Sequence, residues 1–300
     1  MPTGFSSLLD LKSLSSSQIE NIFSLARSLK EQGRIPRLKG ETLALFFVET
    51  STRTRLSFET AAFRSGLGPL LFDGGQKTSL EKGETVEDSI FNIAAMKPSM
   101  MVIRCGDMVD LEKISRQIQS PILNAGWGTK GHPTQALLDL FTLQRKWGQI
   151  AGQKLLIVGD VKHSRVAASH VELAKVCGFT LGQCGPTEYL IDNPQVQKFV
   201  SLQEGLQWCD AVMALRFQFE RHTDTQGFAK EDYRSQFGLN PNSLRALRED
   251  APVLHPGPIN YGIEMEQIVT EDSRSCILEQ VTNGVYIREA LIRLVLGETA

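Results

Sequence analysis

Short, continuous apolar runs alternate along this chain with stretches whose apolar residues recur at helical spacing, and this alternation most narrows the fold. The clearest run, Leu43–Val48 (LALFFV), lacks the period-two polarity of a half-exposed strand and reads as one buried on both faces. A helix follows it from about Arg53 to Arg64, closed by Gly66. Upstream, Ser17 and Glu20 have capping-box spacing, Ile19, Ile22, Phe23, Ala26 and Leu29 recur as on a helix, and Gly33 stops it. Met100–Arg104 reads as a strand, and Pro133 sits at the start of a helix that runs to Trp147 and ends at Gly148. Leu155–Val158 (strand), Val166–Val176 (helix, ended by Gly178) and Ala211–Leu215 (strand) repeat the style, and Val285–Leu296 is the last helix. Such alternation predicts an α/β fold of two domains, each a parallel sheet covered by helices. A length of 300 residues agrees, at about 150 per domain. The division falls near Pro133: a domain over 1–133, with a C-terminal helix over 285–300 packing back on it, and a second over 134–284.

Charge and cysteine usage exclude several classes. Lys+Arg number 32 against 34 Asp+Glu, a formal charge of −2, which argues against a general nucleic-acid binder. The longest apolar run is far below the ~18 residues of a membrane span. Met1-Pro2-Thr3-Gly4-Phe5 lacks the basic-then-apolar layout of an export signal, so a cytoplasmic location is expected. Five cysteines, none at C-x-x-C spacing, fit reduced structural thiols rather than a zinc ribbon or a disulfide framework.

Open α/β sheets bind ligands beyond the carboxyl ends of their strands. Leu43–Val48 is followed there by Glu49-Thr50-Ser51-Thr52-Arg53-Thr54-Arg55. A helix start favours an anion through its backbone N–H groups, and hydroxyls with guanidinium groups add donors that suit phosphate. Simple capping by Ser51 or Thr52 is the plainer alternative, but a cap needs one hydroxyl, not four interleaved with two arginines. Other strand ends carry the same charge. Arg104 ends one, Gly159-Asp160-Val161-Lys162-His163-Ser164 leads from another to Arg165, and a third delivers Arg216, Gln218 and Arg221. Together they suggest a polyanionic ligand.

His132 stands at a helix start, where the dipole disfavours imidazolium and a neutral ring can donate to a polarised carbonyl. No histidine pair has metal spacing. Gly126-Trp127-Gly128-Thr129-Lys130-Gly131 matches the dinucleotide fingerprint G-x-G-x-x-G. Only the weak run Ile122-Leu123 precedes it, however, and Pro133 suits a helix that begins after the motif. No acidic residue ends a strand at the ~20-residue offset, so a nucleotide site is rejected.

Ser51-Thr52-Arg53-Thr54-Arg55, His132-Pro133-Thr134-Gln135 and His255-Pro256-Gly257-Pro258, in that order, resemble the signatures of the aspartate/ornithine carbamoyltransferases. The likeness covers essentially the whole chain. It is nearer the aspartate branch, since the ornithine branch typically carries His-Cys-Leu-Pro in place of the third motif. Arg165, Arg216 and Gln218 also suit a dicarboxylate amine better than cationic ornithine. The resemblance implies transfer of a carbamoyl group from carbamoyl phosphate to L-aspartate, in pyrimidine biosynthesis, with no metal and no cofactor.

By that resemblance Ser51, Thr52, Arg53 and Thr54 cradle the phosphate, and Arg104, His132 and Gln135 hold the carbamoyl group. Thr54, Arg104 and His132 polarise its carbonyl, and Arg165, Arg216, Gln218 and the Gly257-Pro258 backbone bind aspartate. Ser79 and Lys82 match a mobile loop that reaches into a neighbouring subunit's site, which implies a homotrimer with shared sites. Glu49 matches a residue that pairs with second-domain arginines, here Arg165 and Arg221, on domain closure. Association with regulatory chains or a dihydroorotase stays open. Trp127, Gly131 and Ile259-Asn260-Tyr261 depart from the usual family residues, but no ligand-contacting position is lost. Two other readings are a non-catalytic homologue that scaffolds another pyrimidine enzyme and a carbamoyltransferase for a different amino acid.

Overall fold

The structure, a computed structural model, describes residues 5–33, 41–74, 78–217 and 230–297. The chain divides into two compact units, Met1–Leu138 with Val281–Ala300, and Asp139–Gln280. Each holds one parallel sheet with helices packed on it, as the alternation predicts.

In the first unit β1 (Thr42–Phe47), β2 (Gly68–Asp73), β3 (Met100–Cys105) and β4 (Ile122–Trp127) lie in the order β2-β1-β3-β4. β1 is central and buried from Leu43 to Phe47, which explains its unbroken apolar run. Helices α1 (Ser16–Gln32), α2 (Thr52–Ser65), α3 (Val86–Ala95) and α4 (Leu111–Gln117) accompany the sheet. The cap of α1 is Ser15, whose hydroxyl and Gln18 form the capping box, so the expected Ser17–Glu20 box lies two residues too late. Three consecutive serines offer the same chemistry, and the extended backbone at Ser15 selects which one caps.

In the second unit the order is β7-β6-β5-β8-β9, with β5 (Lys154–Val158) at the centre. Its neighbours are β6 (Thr180–Cys184), β7 (Val196–Phe199), β8 (Ala211–Ala214) and β9 (Val253–Leu254). Leu156, Val158, Val212, Tyr233 and Phe237 belong to its core, each fully burying apolar side chain contributing about 1.5–3 kcal/mol.

The last helix is longer than the sequence pattern suggests. In chain order the remaining helices are α5 (Pro133–Trp147), α6 (Arg165–Cys177), α7 (Leu202–Trp208), α8 (Lys230–Phe237) and α9 (Ile277–Val295). α9 begins eight residues before the expected Val285, because in its first turns Leu278 and Val281 face solvent while Gln280 and Asn283 are buried, so no apolar stripe marks them. Its later turns pack on the first unit. Lys30 Nζ donates to Asn283 Oδ1 at 2.8 Å, Arg288 Nη1 to Ser57 Oγ at 2.6 Å, and Arg64 pairs with buried Glu289 at 2.6 Å.

Candidate active site

Both sheets contain a topological switch point, where the chain leaves two neighbouring strands in opposite directions and opens a crevice at their carboxyl ends. In the first unit that point lies between β1 and β3. Phe47 pairs with Arg104, the Val48 N–H donates to the Arg104 carbonyl at 3.0 Å, and the Glu49 carboxylate lies 3.6 Å from Arg104 Nε. In the second it lies between β5 and β8, where the Leu215 N–H donates to the Val158 carbonyl at 2.8 Å.

The start of α2 supplies the anion chemistry of the first unit. Ser51 is the N-cap residue by position, but its hydroxyl makes no cap bond to the helix amides. Simple capping, the plainer reading of this run, is therefore not what Ser51 does. Thr54 is buried, and Arg55 is committed to Asp73 at 2.6 Å and to Glu59 at 3.6 Å. Arg53 is thus the guanidinium at the helix start. Although its side chain is largely exposed, partial desolvation draws its pKa below the ordinary value while leaving it charged.

β4 ends one strand over and leads to His132. The weak run Ile122-Leu123 proves to be the start of a six-residue strand, buried throughout. Its polar Asn124 is buried because the side-chain amide donates to the Leu9 carbonyl at 2.7 Å and accepts from the Gly126 N–H at 2.7 Å. The chain then folds back, with the Trp127 N–H donating to the Gly131 carbonyl at 2.9 Å. Gly128 has φ +45°, and a Cβ there would sit 2.0 Å from Asp107 Oδ1. That carboxylate instead accepts from the Thr129 N–H at 2.7 Å. The glycine pattern therefore builds a tight turn under Asp107, and α5 begins only after it. Trp127 is accommodated by burial: its indole N–H donates to the Val109 carbonyl at 2.7 Å, and Lys130 Nζ lies 3.9 Å from the ring centroid. His132 and Gln135 are both buried, and the Gln135 and Ala136 N–H groups donate to the His132 carbonyl at 3.0 and 3.2 Å. Ser51–Thr54, Arg104, His132 and Gln135 thus follow three adjacent strands at one end of one sheet.

Ser79 and Lys82 are exposed on a single 3₁₀ turn. The Glu84 carboxylate ties this turn to α3, and its hydrogen bonds from Ser79, Ser89 and Asn92 lower its pKa.

In the second unit Arg165 opens α6 and Arg216 follows β8, both half-buried at the switch point. Gln218 and Arg221 lie outside the described residues. The turn before Arg165 is satisfied internally. Asp160 accepts from the His163 N–H at 3.1 Å, and Ser164 Oγ from the Ala167 N–H at 3.2 Å. Past β9, His255 Nδ1 accepts from the Gly257 N–H at 2.8 Å, which places the ring proton on Nε2, 3.4 Å from Glu264 Oε1. Gly257-Pro258 is a cis peptide. Cys184 and Cys209 are buried and pushed up to about 12 by desolvation, so neither serves as a thiolate nucleophile. Among the described residues no group of three His, Cys, Asp or Glu is placed to hold a metal ion, and no helix is long and apolar enough to cross a membrane.

Asp107 and Gln280 were not singled out by the sequence. Asp107 follows a strand end, two residues past Cys105, and that position was its signal; the role of Gln280 depends on contacts distant in sequence and had none.

Two doubly wound parallel sheets with cationic and hydroxyl side chains at their switch points describe an α/β protein with chemistry suited to anions, and the comparisons with known proteins give the family. The chain belongs to the aspartate/ornithine carbamoyltransferases: the model of their carbamoyl-P binding domain matches residues 6–145 and that of their Asp/Orn binding domain residues 151–295. The aspartate carbamoyltransferase catalytic subunit of Chlorobaculum tepidum is 42% identical over 272 residues, 88% of each chain. That of Cytophaga hutchinsonii is 39% identical over 298 residues, 97% of each. Among solved structures, aspartate transcarbamoylase from Trypanosoma cruzi in complex with carbamoyl phosphate superposes with a TM-score of 0.86 at 26% identity, over 98% of this chain and 96% of that one. Ornithine carbamoyltransferase from Thermus thermophilus gives 0.84 at 27% identity, over 98% and 99%.

Proposed function

We propose that this chain transfers the carbamoyl group of carbamoyl phosphate to the α-amino group of L-aspartate, giving N-carbamoyl-L-aspartate and phosphate for pyrimidine biosynthesis in the cytoplasm. The observation that carries the reading is the start of α2, where Ser51 occupies the cap position without capping and Arg53 stands beside it. Hydroxyls and amides left at a helix start favour a dianion such as phosphate. The curated relatives at about 40% identity support aspartate over ornithine as acceptor.

In this reading residues 1–133 with 285–300 bind carbamoyl phosphate and residues 134–284 bind aspartate. Ser51, Thr52, Arg53 and Thr54 cradle the phosphate. Arg104, His132 and Gln135 hold the carbamoyl group, and Thr54, Arg104 and His132 donate to its oxygen as the neutral amine attacks. A donor aimed at a developing oxyanion is worth about 3 kcal/mol. Lys82, Arg165, Arg216, Gln218 and the Gly257-Pro258 backbone bind aspartate, and Glu49 and Arg221 act in domain closure. Clustered cations offset the repulsion between two anionic substrates, and orientation supplies much of the remaining acceleration.

The chain acts as a homotrimer with shared sites. Support comes from β2, an edge strand whose Leu70 and Leu71 are 45% and 47% exposed, beside Leu56 and Phe63 of α2 at 48% and 60%. An apolar edge of this kind calls for a partner, and Ser79 and Lys82 are exposed in the same unit.

Purified chain given carbamoyl phosphate and aspartate should form N-carbamoyl-L-aspartate; no product above an Arg53→Ala control rejects the activity. Lys82→Ala and Arg53→Ala chains, each inactive alone, should regain part of the activity when mixed. Subunit exchange without recovery rejects shared sites.

A further inference from the structure

Gln280 on α9 is 2% exposed and bonded at both ends of its amide. Its Nε2 donates to Asp139 Oδ1 at 2.7 Å, and its Oε1 accepts from the backbone N–H of His255 at 3.0 Å. This amide has one workable orientation. A carboxylate only accepts and a backbone N–H only donates, so a flipped amide would lose both bonds. Asp139 is fully buried, and the His170 ring facing its other oxygen at 3.6 Å has Nδ1–H committed to the Val166 carbonyl at 2.8 Å. The Gln280 amide thus supplies a donor to a carboxyl group that is removed from water.

From His255 the order passes into the turn. The His255 ring takes the Gly257 N–H, and Glu264 Oε1 takes the Asn260 N–H at 2.5 Å. The segment carrying Gly257-Pro258 is thus fixed at its entry by Gln280 and at its exit by Glu264, with its middle tied to the ring of its own first residue.

We propose that Gln280 is a positioning residue: bridging Asp139 to the His255 N–H, it sets the backbone of the 255–258 turn and through it the affinity for aspartate. The inference rests on the reading that this turn binds aspartate. Gln280 itself touches no substrate.

Two variants test it. Gln280→Glu keeps the acceptor toward His255 but sets a carboxylate against Asp139. The double variant Asp139→Asn/Gln280→Glu restores one amide facing one carboxylate, with the acceptor toward His255 retained. In the single variant KM for aspartate should rise about tenfold, the worth of one charge-assisted hydrogen bond. KM for carbamoyl phosphate should stay within about twofold, and the double variant should recover most of the loss. Hydrogen exchange over residues 253–262, read by mass spectrometry, should rise in the single variant and fall back in the double. Unchanged aspartate KM and exchange in the single variant, both KM values rising together, or no recovery in the double overturns the proposal. If the single variant does not fold, the double decides: a native aspartate KM supports the bridge, and a raised one overturns it. A wild-type chain that carbamoylates no aspartate, with exchange following the stated pattern, overturns the substrate reading and leaves the positioning role standing.

Discussion

The turns from β1 into α2 and from β5 into α6 occupy equivalent places, each leaving a central strand at a switch point, yet they use their serines in opposite ways. Ser164 caps α6, and Asp160 holds the His163 N–H, so the second turn satisfies its own donors. Ser51 stands at the cap of α2 and makes no cap bond. The difference separates a turn built to complete the fold from one that leaves its donors for an anion. It also supports the proposal that the phosphate chemistry belongs to the first unit, although both turns end in arginines.

The comparison breaks most visibly at Arg53. Arg53→Ala should cut kcat/KM about a thousandfold while shifting stability by less than about 0.5 kcal/mol, because the side chain is largely exposed. Steady-state kinetics with a thermal melt checks both halves. A destabilised protein of normal activity would show the α2 turn to be structural after all.

A smaller effect comes from the helix behind the self-satisfied turn. His170 on α6 is buried and its pKa is lowered to about 4 by desolvation. An unfolded histidine titrates near 6.5, so below that pH the unfolded chain takes up a proton that the folded one refuses. Stability should therefore fall as pH drops from about 6.5 to 4, by up to about 3 kcal/mol from this group. Denaturant melts across that window should show a slope that His170→Asn removes; an unchanged slope assigns the acid sensitivity elsewhere.

The smallest pair of effects sharpens the contrast directly. Ser164→Ala should cost about 1 kcal/mol of stability as a lost cap, with activity retained. Ser51→Ala should do the reverse, leaving the melting temperature in place and lowering kcat/KM about tenfold. Equal stability losses in the two variants would erase the distinction between the turns.

Elements whose burial is local were legible in the sequence. Ile19, Ile22, Phe23, Ala26 and Leu29, read at helical spacing, are the buried face of α1. Strands that depend on distant neighbours were not. β6 carries Gly182, where a Cβ would sit 2.6 Å from Trp208, and Gln183, which is buried because its amide bonds both backbone groups of Ile191. β2 opens with Gly-Pro and lies mostly exposed, and its apolar run is only Leu70-Leu71-Phe72, too short to mark a buried strand. The same division runs through the candidate site. Ser51–Thr54, Arg104, Arg165 and Arg216 were marked by following strands, and His132 by its place at a helix start. The bridge from Gln280 to Asp139 spans 141 positions and leaves no local trace.

The first unit is made from two separate stretches of chain, the second inserted between them. Synthesis from the N-terminus therefore finishes β1 to β4 well before Ile287, Ala290, Leu291 and Ile292 exist to cover their side of the core. At about 5–20 residues per second, the intervening segment delays them by roughly 7–30 s. Throughout that interval Phe58 and Ser57 of α2 await Arg288, and Arg64 awaits Glu289. The inserted unit is continuous and can close as soon as it emerges. The half of the molecule translated first is thus the half completed last, and a chain cut short of residue 281 would carry a finished second unit on an unfinished first.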